Sequence, residues 1–176
     1  PDNLKQLFRS IAMVKPDKEL IAQVTLFSQG FTQAESLARK VVMFFDLCAD
    51  DLSKQPHYDF GLRALKSVLA NAGYLKRGSA SDDSENEQNL VIQSILETMT
   101  PKLVGDDAVL LKSILMDLFP NCQFTQSPLE ELKAQIREVC GEKKYVLDGK
   151  WEEKIIQLFQ IQNLQHGLIL VGPSGC

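Results

Sequence analysis

The sequence predicts a mainly α-helical protein with a minor α/β part. Two observations carry the helical reading. Apolar residues recur at three- and four-residue spacing along most of the chain, and the gaps between these stretches hold Pro, Gly and Thr-x-x-Glu signals that start and stop helices. A third observation carries the α/β part. Leu168 to Val171 form an apolar run that breaks into Gly172-Pro173-Ser174-Gly175, the pattern of a buried strand entering a glycine-rich turn.

In order, Pro1 to Arg9 is a short amphipathic opening, and Ser10 to Val14 is a candidate strand. Pro16-Asp17 starts a helix, with Pro in the first turn. Leu20, Ile21, Val24 and Phe27 fall on one face of it, and Gly30 ends it. Thr32-Gln-Ala-Glu35 reads as a capping box for the next helix, whose stripe is Leu37, Val41, Phe44, Phe45, Cys48 and Leu52. Near His57-Tyr58-Asp59 a third helix begins. It buries Leu62, Leu65, Val68, Leu69 and Ala72 and is weakened or ended at Gly73.

Residues Gly78 to Asn89 hold four acids, Asp82, Asp83, Glu85 and Glu87, and no base. With no apolar anchor, this stretch is expected to be a linker and the domain boundary, because it cannot bury enough surface to offset its ordering entropy. Leu90 to Met99 and Asp106 to Phe119 then form a helical hairpin, stopped at Pro120. A helix follows from Ser127-Pro128 to Cys140, then a possible extended stretch at Lys143 to Leu147. The last helix runs from Gly149 to Gln160, with Trp151, Ile155, Leu158 and Phe159 inward.

The 176 residues suffice for one domain or two small ones, and 44% hydrophobic with 24% charged residues is an ordinary globular composition. No apolar run reaches the ~18 residues that span a bilayer. No signal peptide is recognised, so membrane insertion is not expected. The net charge of −4 equals the four acids of the 78–89 stretch. The balanced remainder offers no basic patch for nucleic acid. Cys48, Cys122, Cys140 and Cys176 show no CxxC spacing, and the two histidines, His57 and His166, lie far from any cysteine pair. Reduced thiols and no metal site are expected.

Three features could carry chemistry. Gly172, Pro173, Ser174, Gly175 and Cys176 match the beginning of the phosphate-binding pattern Gly-x4-Gly-Lys-Ser/Thr, whose backbone N–H groups converge on phosphate oxygens. The sequence stops before the Lys, so the segment is expected to be part of a longer nucleotide site. A plain strand-to-turn junction is the alternative. Arg63 falls off the Leu62/Leu65/Leu69 stripe, and its forked guanidinium could hold a phosphate at two points. The alternative is a solvated arginine paired with Asp59. Arg9 could act as an arginine finger toward a neighbouring nucleotide, or be a surface charge at a helix end.

Several blocks together resemble the dynein heavy-chain family, most closely its cytoplasmic branch. They are Leu4-Lys-Gln-Leu-Phe-Arg9, Ile21 to Val24, Ser28 to Phe31, His57-Tyr-Asp-Phe-Gly-Leu-Arg-Ala-Leu-Lys-Ser-Val-Leu69, Ile95 to Leu103, Leu115 to Pro120 and Gly167 to Gly175. The resemblance covers nearly the whole chain and implies the junction of the first and second AAA+ modules of a motor ring. Residues 1–15 would end the first module's large subdomain, and 16–77 would be its small helical lid. Residues 78–89 would be the acidic linker. Residues 90–176 would open the second module and end inside its phosphate loop. Leu90 to Phe119 is expected to pack directly on the lid or the adjoining module, with the acidic linker looping out.

The resemblance assigns Arg63 the role of second sensor, touching the terminal phosphates bound by the first module. Arg9 takes the position of an arginine finger, and Gly172 to Cys176 the second module's loop. It implies an ATPase that moves toward microtubule minus ends, using ATP/ADP with Mg in the intact parent, with the fragment inactive and empty by itself. Intermediate and light chains and microtubules would be met through other regions, including a coiled-coil stalk, in the cytoplasm on the cytoskeleton. A helical interaction module without any nucleotide role is the competing function.

Overall fold

The computed structural model describes residues 7–9, 11–78, 84–120, 130–164, 167–170 and 172, and these form seven α-helices. They are α1 (Lys18–Ser28), α2 (Ala34–Asp51), α3 (Leu62–Gly78), α4 (Ser84–Met99), α5 (Asp107–Leu118), α6 (Glu130–Lys143) and α7 (Gly149–Leu164), with a 3-10 turn at Thr100–Lys102.

The expected start of α1 is formed: the Asp17 side chain accepts hydrogen bonds from the N–H groups of Glu19 (2.9 Å) and Leu20 (3.3 Å). Its end is a Schellman motif. The Phe31 N–H reaches back to Leu26 O and the Gly30 N–H to Phe27 O, with Gly30 at φ +88°. Phe31 and Leu26 are both buried, which supplies the apolar contact that accompanies this motif. The buried face of α1 is not the expected one. Leu20, Val24 and Phe27 are 57, 60 and 76% exposed, while Ala22 and Leu26 face the core. The small Ala22 lets α1 lie close to its neighbours, and Lys18–Asp46 (2.8 Å) and Arg39–Glu19 (2.9 Å) ion pairs hold it along α2.

The α2 stripe is as expected, with Leu37, Val41, Phe44, Phe45, Cys48 and Leu52 buried. The expected capping box is absent. Glu35 pairs instead with Arg39 Nη2 (2.7 Å), one turn on. The turn just before α2 is held instead by Glu87 of α4, fully buried, whose carboxylate accepts from Thr32 N (2.9 Å), Thr32 Oγ1 (3.0 Å) and Gln33 N (3.1 Å). Lys76 Nζ of α3 lies 2.7 Å from the same carboxylate and 5.5 Å from the Phe31 ring centroid. Burial by itself would raise the Glu87 pKa. The bonds from Lys76, Thr32 and Gln33 outweigh it and hold the carboxyl below its ordinary value.

Residues 84–89 of the acidic stretch are helical, and the residues after it pack on those before it. Helix α4 begins at Ser84, and one hydrophobic core runs from Ala22 to Phe119 through α1, α2, α3, α4 and α5. The packing of residues 90–119 on the preceding helices is observed, with Ser94 Oγ donating to Val68 O (2.7 Å) inside it. Composition pointed to a linker because the partners that accommodate Glu87 lie far away along the chain. Helix α3 also continues through Gly73, which is buried. A Cβ there would collide with the Gln29 side chain at the end of α1, so the glycine permits the close crossing.

Helices α6 and α7 stand apart from this core. An Arg137–Glu152 pair (3.3 Å) and an edge contact of Tyr145 with Trp151 (6.5 Å between centroids) link them, and α7 touches α4. Lys144 turns at φ 57°, so residues 143–147 are a helix end and a loop rather than a strand. Trp151, Leu158 and Phe159 are 44, 37 and 41% exposed and do not form the expected inward face.

No strand is present among the described residues. Ile11 to Val14 and Leu168 to Leu170 are irregular and exposed, whereas both had been expected to be extended. A strand satisfies its backbone by pairing with a neighbouring strand, and none is formed among the described residues. Ser10, Val171 and Pro173 to Cys176 lie outside the described residues.

Candidate functional site

The geometry around Arg63 is set by the loop before α3. Asp59 Oδ1 accepts from Gly61 N (2.8 Å), and Leu65 N donates to Gly61 O (3.1 Å), which turns the chain into the helix. Arg63 then falls in the first turn and is exposed. It makes no ion pair among the described residues. The Asp59 oxygen that could have paired with it caps the backbone instead.

Arg63 lines an open cleft of about 200 Å3 with His57, Tyr58, Asp59, Met99 and Lys102. Ser67 and Lys102 also line an adjoining cleft of about 310 Å3, bounded by Asn71, Tyr74, Glu97 and Ile161. The loops on both sides of the smaller cleft are cross-linked. His57 Nε2 meets the Lys102 carbonyl (3.2 Å), and the Val104 N–H donates to Tyr58 Oη (2.8 Å), which donates to Asp107 Oδ2 (2.8 Å). Asp107 also accepts from the Ser53 hydroxyl and, at 3.4 Å, from the Ser53 N–H. The bonds from Ser53 and then Tyr58 hold the Asp107 carboxyl below its ordinary value. Burial first, with Asp107 adding to it, pushes the Tyr58 phenol up despite the bond from Val104.

The other expected positions are not gathered here. Arg9 is exposed on an irregular segment, with no ion pair among the described residues. Gly172 is exposed and irregular, and Pro173, Ser174, Gly175 and Cys176 lie outside the described residues. Cys48 and Cys140 are free and buried. Burial first, then the Asp51 charge, pushes the Cys48 thiol up to about 12. Among the described residues there is no group of His, Cys, Asp and Glu that could hold a metal, and no helix long and apolar enough to cross a membrane.

The family model "Hydrolytic ATP binding site of dynein motor region" matches residues 1–176. This chain belongs to the dynein heavy-chain family. It is 52% identical to the cytoplasmic dynein heavy chain of Drosophila melanogaster over 99% of its own length, and 52% to that of Caenorhabditis elegans over the same share. It is 41% identical to human dynein axonemal heavy chain 6. In each case the chain spans 4% of the relative's length.

Within this dynein segment, sequence reasoning singled out Arg63 but missed Lys102, the His57–Tyr58–Asp107 network and Glu87. The block from His57 to Leu69 held a usable signal: polar and aromatic residues crowded just ahead of an apolar helix. Lys102 and Glu87 carried none, because their partners come from other loops.

Proposed function

We propose that residues 18–119 are the small helical lid of a dynein AAA+ module, and that Arg63 contacts the terminal phosphates of ATP bound by that module's remaining part. The observation that carries this reading is the placement of Arg63: an exposed guanidinium without a counter-ion, in the first turn of α3, at a cleft beside cross-linked loops. In this reading the lid runs to residue 119 rather than 77, supported by the single core that α1 to α5 share. Residues 130–176 then open the next module, and Gly172 to Cys176 begin its phosphate loop.

A forked guanidinium gains charge-assisted hydrogen bonds only while a phosphate is present, each worth ~1.5–3 kcal/mol. Loss of that phosphate removes them and frees the lid to rotate. Because α1 to α5 share one core and the Glu87–Lys76 contact ties α2, α3 and α4, the lid would turn as a unit and pass the change onward. The parent is then an ATPase motor working on microtubules in the cytoplasm. Intermediate chains, light chains and microtubules are engaged through regions outside this segment. Magnesium belongs with the ATP. The described residues offer no carboxylate cluster to hold it, so no step here runs through the metal. Arg9 as a finger toward a neighbouring module's nucleotide is a secondary part of the proposal.

In the intact heavy chain, Arg63→Ala should lower ATP turnover roughly 10- to 100-fold, the equivalent of one such bond. The melting temperature should stay unchanged, since the side chain is exposed. Unaltered turnover would remove Arg63 from the site. The exposed Leu20/Val24/Phe27 face of α1 also suits a helical interaction module. The parent sequence after Cys176 separates the readings: Gly-Lys followed by Ser or Thr supports nucleotide binding, and absence of Lys favours interaction alone.

A further inference from the structure

The cleft beside Arg63 holds a second cation that no sequence pattern marked. We propose that Lys102 is an additional contact to the terminal phosphates at the Arg63 site, an inference that rests on the Arg63 reading above. Lys102 ends the 3-10 turn between α4 and α5, far from Arg63 along the chain, yet both line the same cleft of about 200 Å3. The Lys102 ammonium has no ion pair or hydrogen bond among the described residues.

The surrounding acids are already engaged. Asp59, the one carboxylate among the residues lining the cleft, has Oδ1 on the Gly61 N–H at 2.8 Å. Glu97 in the adjoining cleft accepts from Asn71 Nδ2 (3.3 Å) and Gln93 Nε2 (2.9 Å). Two cations from separate elements face a cleft lined by a single carboxylate, and neither cation is ion-paired among the described residues, so the lining suits an anionic ligand. The pair is also chemically complementary: Arg offers a planar fork and Lys a compact point charge, a combination suited to neighbouring oxygens of a polyphosphate.

The position of Lys102 is fixed by backbone tethers. His57 Nε2 engages its carbonyl at 3.2 Å, and Tyr58 Oη holds the Val104 N–H two residues on while bonding Asp107 at the start of α5. The turn is thus tied to the loop that delivers Arg63. Preorganisation of this kind reduces the ordering needed when phosphate arrives.

The test uses the intact heavy chain with ATP and ADP as probes. Lys102→Ala, Lys102→Arg and Arg63→Ala are compared with Lys112→Ala, which removes an exposed charge on α5 that lines neither cleft. Lys102→Ala should lower kcat/KM for ATP about tenfold while ADP affinity changes much less, and Lys102→Arg should retain most of the wild-type value. A merely structural role would not alter the preference for ATP over ADP. If Arg63→Ala is impaired while Lys102→Ala matches Lys112→Ala, the Lys102 inference fails and the Arg63 reading stands. Equal loss of ATP and ADP binding in Lys102→Ala also overturns it. If neither Arg63→Ala nor Lys102→Ala differs from Lys112→Ala, both readings fall.

Discussion

Replacing Glu87 by Gln tests the most consequential contact in the five-helix core. The carboxylate is 0% exposed and bonds two backbone N–H groups and one hydroxyl at the start of α2, together with Lys76, whose side chain is 8% exposed. Gln keeps the shape and one acceptor, but removes the charge and places an NH2 group against donors. Lys76 would lose the anion 2.7 Å from its ammonium, and breaking one side of a buried pair costs about 3–5 kcal/mol. At ~2–4 °C per kcal/mol for a chain of this size, the melting temperature should fall by about 6–20 °C.

The assay is urea and thermal unfolding of the chain followed by circular dichroism. A double-mutant cycle with Lys76→Met should give a coupling of at least about 1 kcal/mol between the two groups, because they lie 2.7 Å apart in a buried setting. The pH dependence has a definite sign. The folded carboxyl lies below its ordinary value, so its contribution is fully present above about pH 4.3, the unfolded value, and is lost as pH falls through the folded pKa. The gap between wild type and Glu87→Gln should therefore be constant near neutrality and shrink in acid. A loss under 1 kcal/mol at pH 7, or a gap that widens in acid, would refute the reasoning.

Two further outcomes follow from the packing. Gly73→Ala should destabilise despite the better helix propensity of Ala, since its Cβ would strike Gln29; Gly73→Ala/Gln29→Ala should regain stability, and urea midpoints of the three variants decide this. Cys48 should resist iodoacetamide at pH 8 in the folded chain, with its thiol buried and pushed up to about 12, and should label once urea unfolds it; mass spectrometry reads both states.

The five-helix core was largely legible as a set of helices. Spacing marked the buried stripes of α2 and α3 correctly, since each is long and carries a single broad apolar face. It misassigned α1, where eleven residues carry two competing apolar faces and packing chose the one with Ala22. The α7 face failed for another reason: an amphipathic pattern states that a surface can be covered, not that a partner is present. The same holds for Ile11 to Val14 and Leu168 to Leu170, whose apolar character is plain but whose backbone lacks a neighbouring strand.

By itself, the sequence determined where the helices lie, which family the chain belongs to, and that Arg63 stands off the apolar stripe of its helix. These are local or cumulative properties, written in periodicity and in long matching blocks. Only the tertiary structure decided that an acidic, anchorless stretch begins a core helix, that Glu87 holds the turn before a helix more than fifty residues away, and that Lys102 shares a cleft with Arg63. Each depends on groups brought together by folding. A charge is acceptable inside a core, and useful beside a cleft, only because of partners that chain order does not reveal.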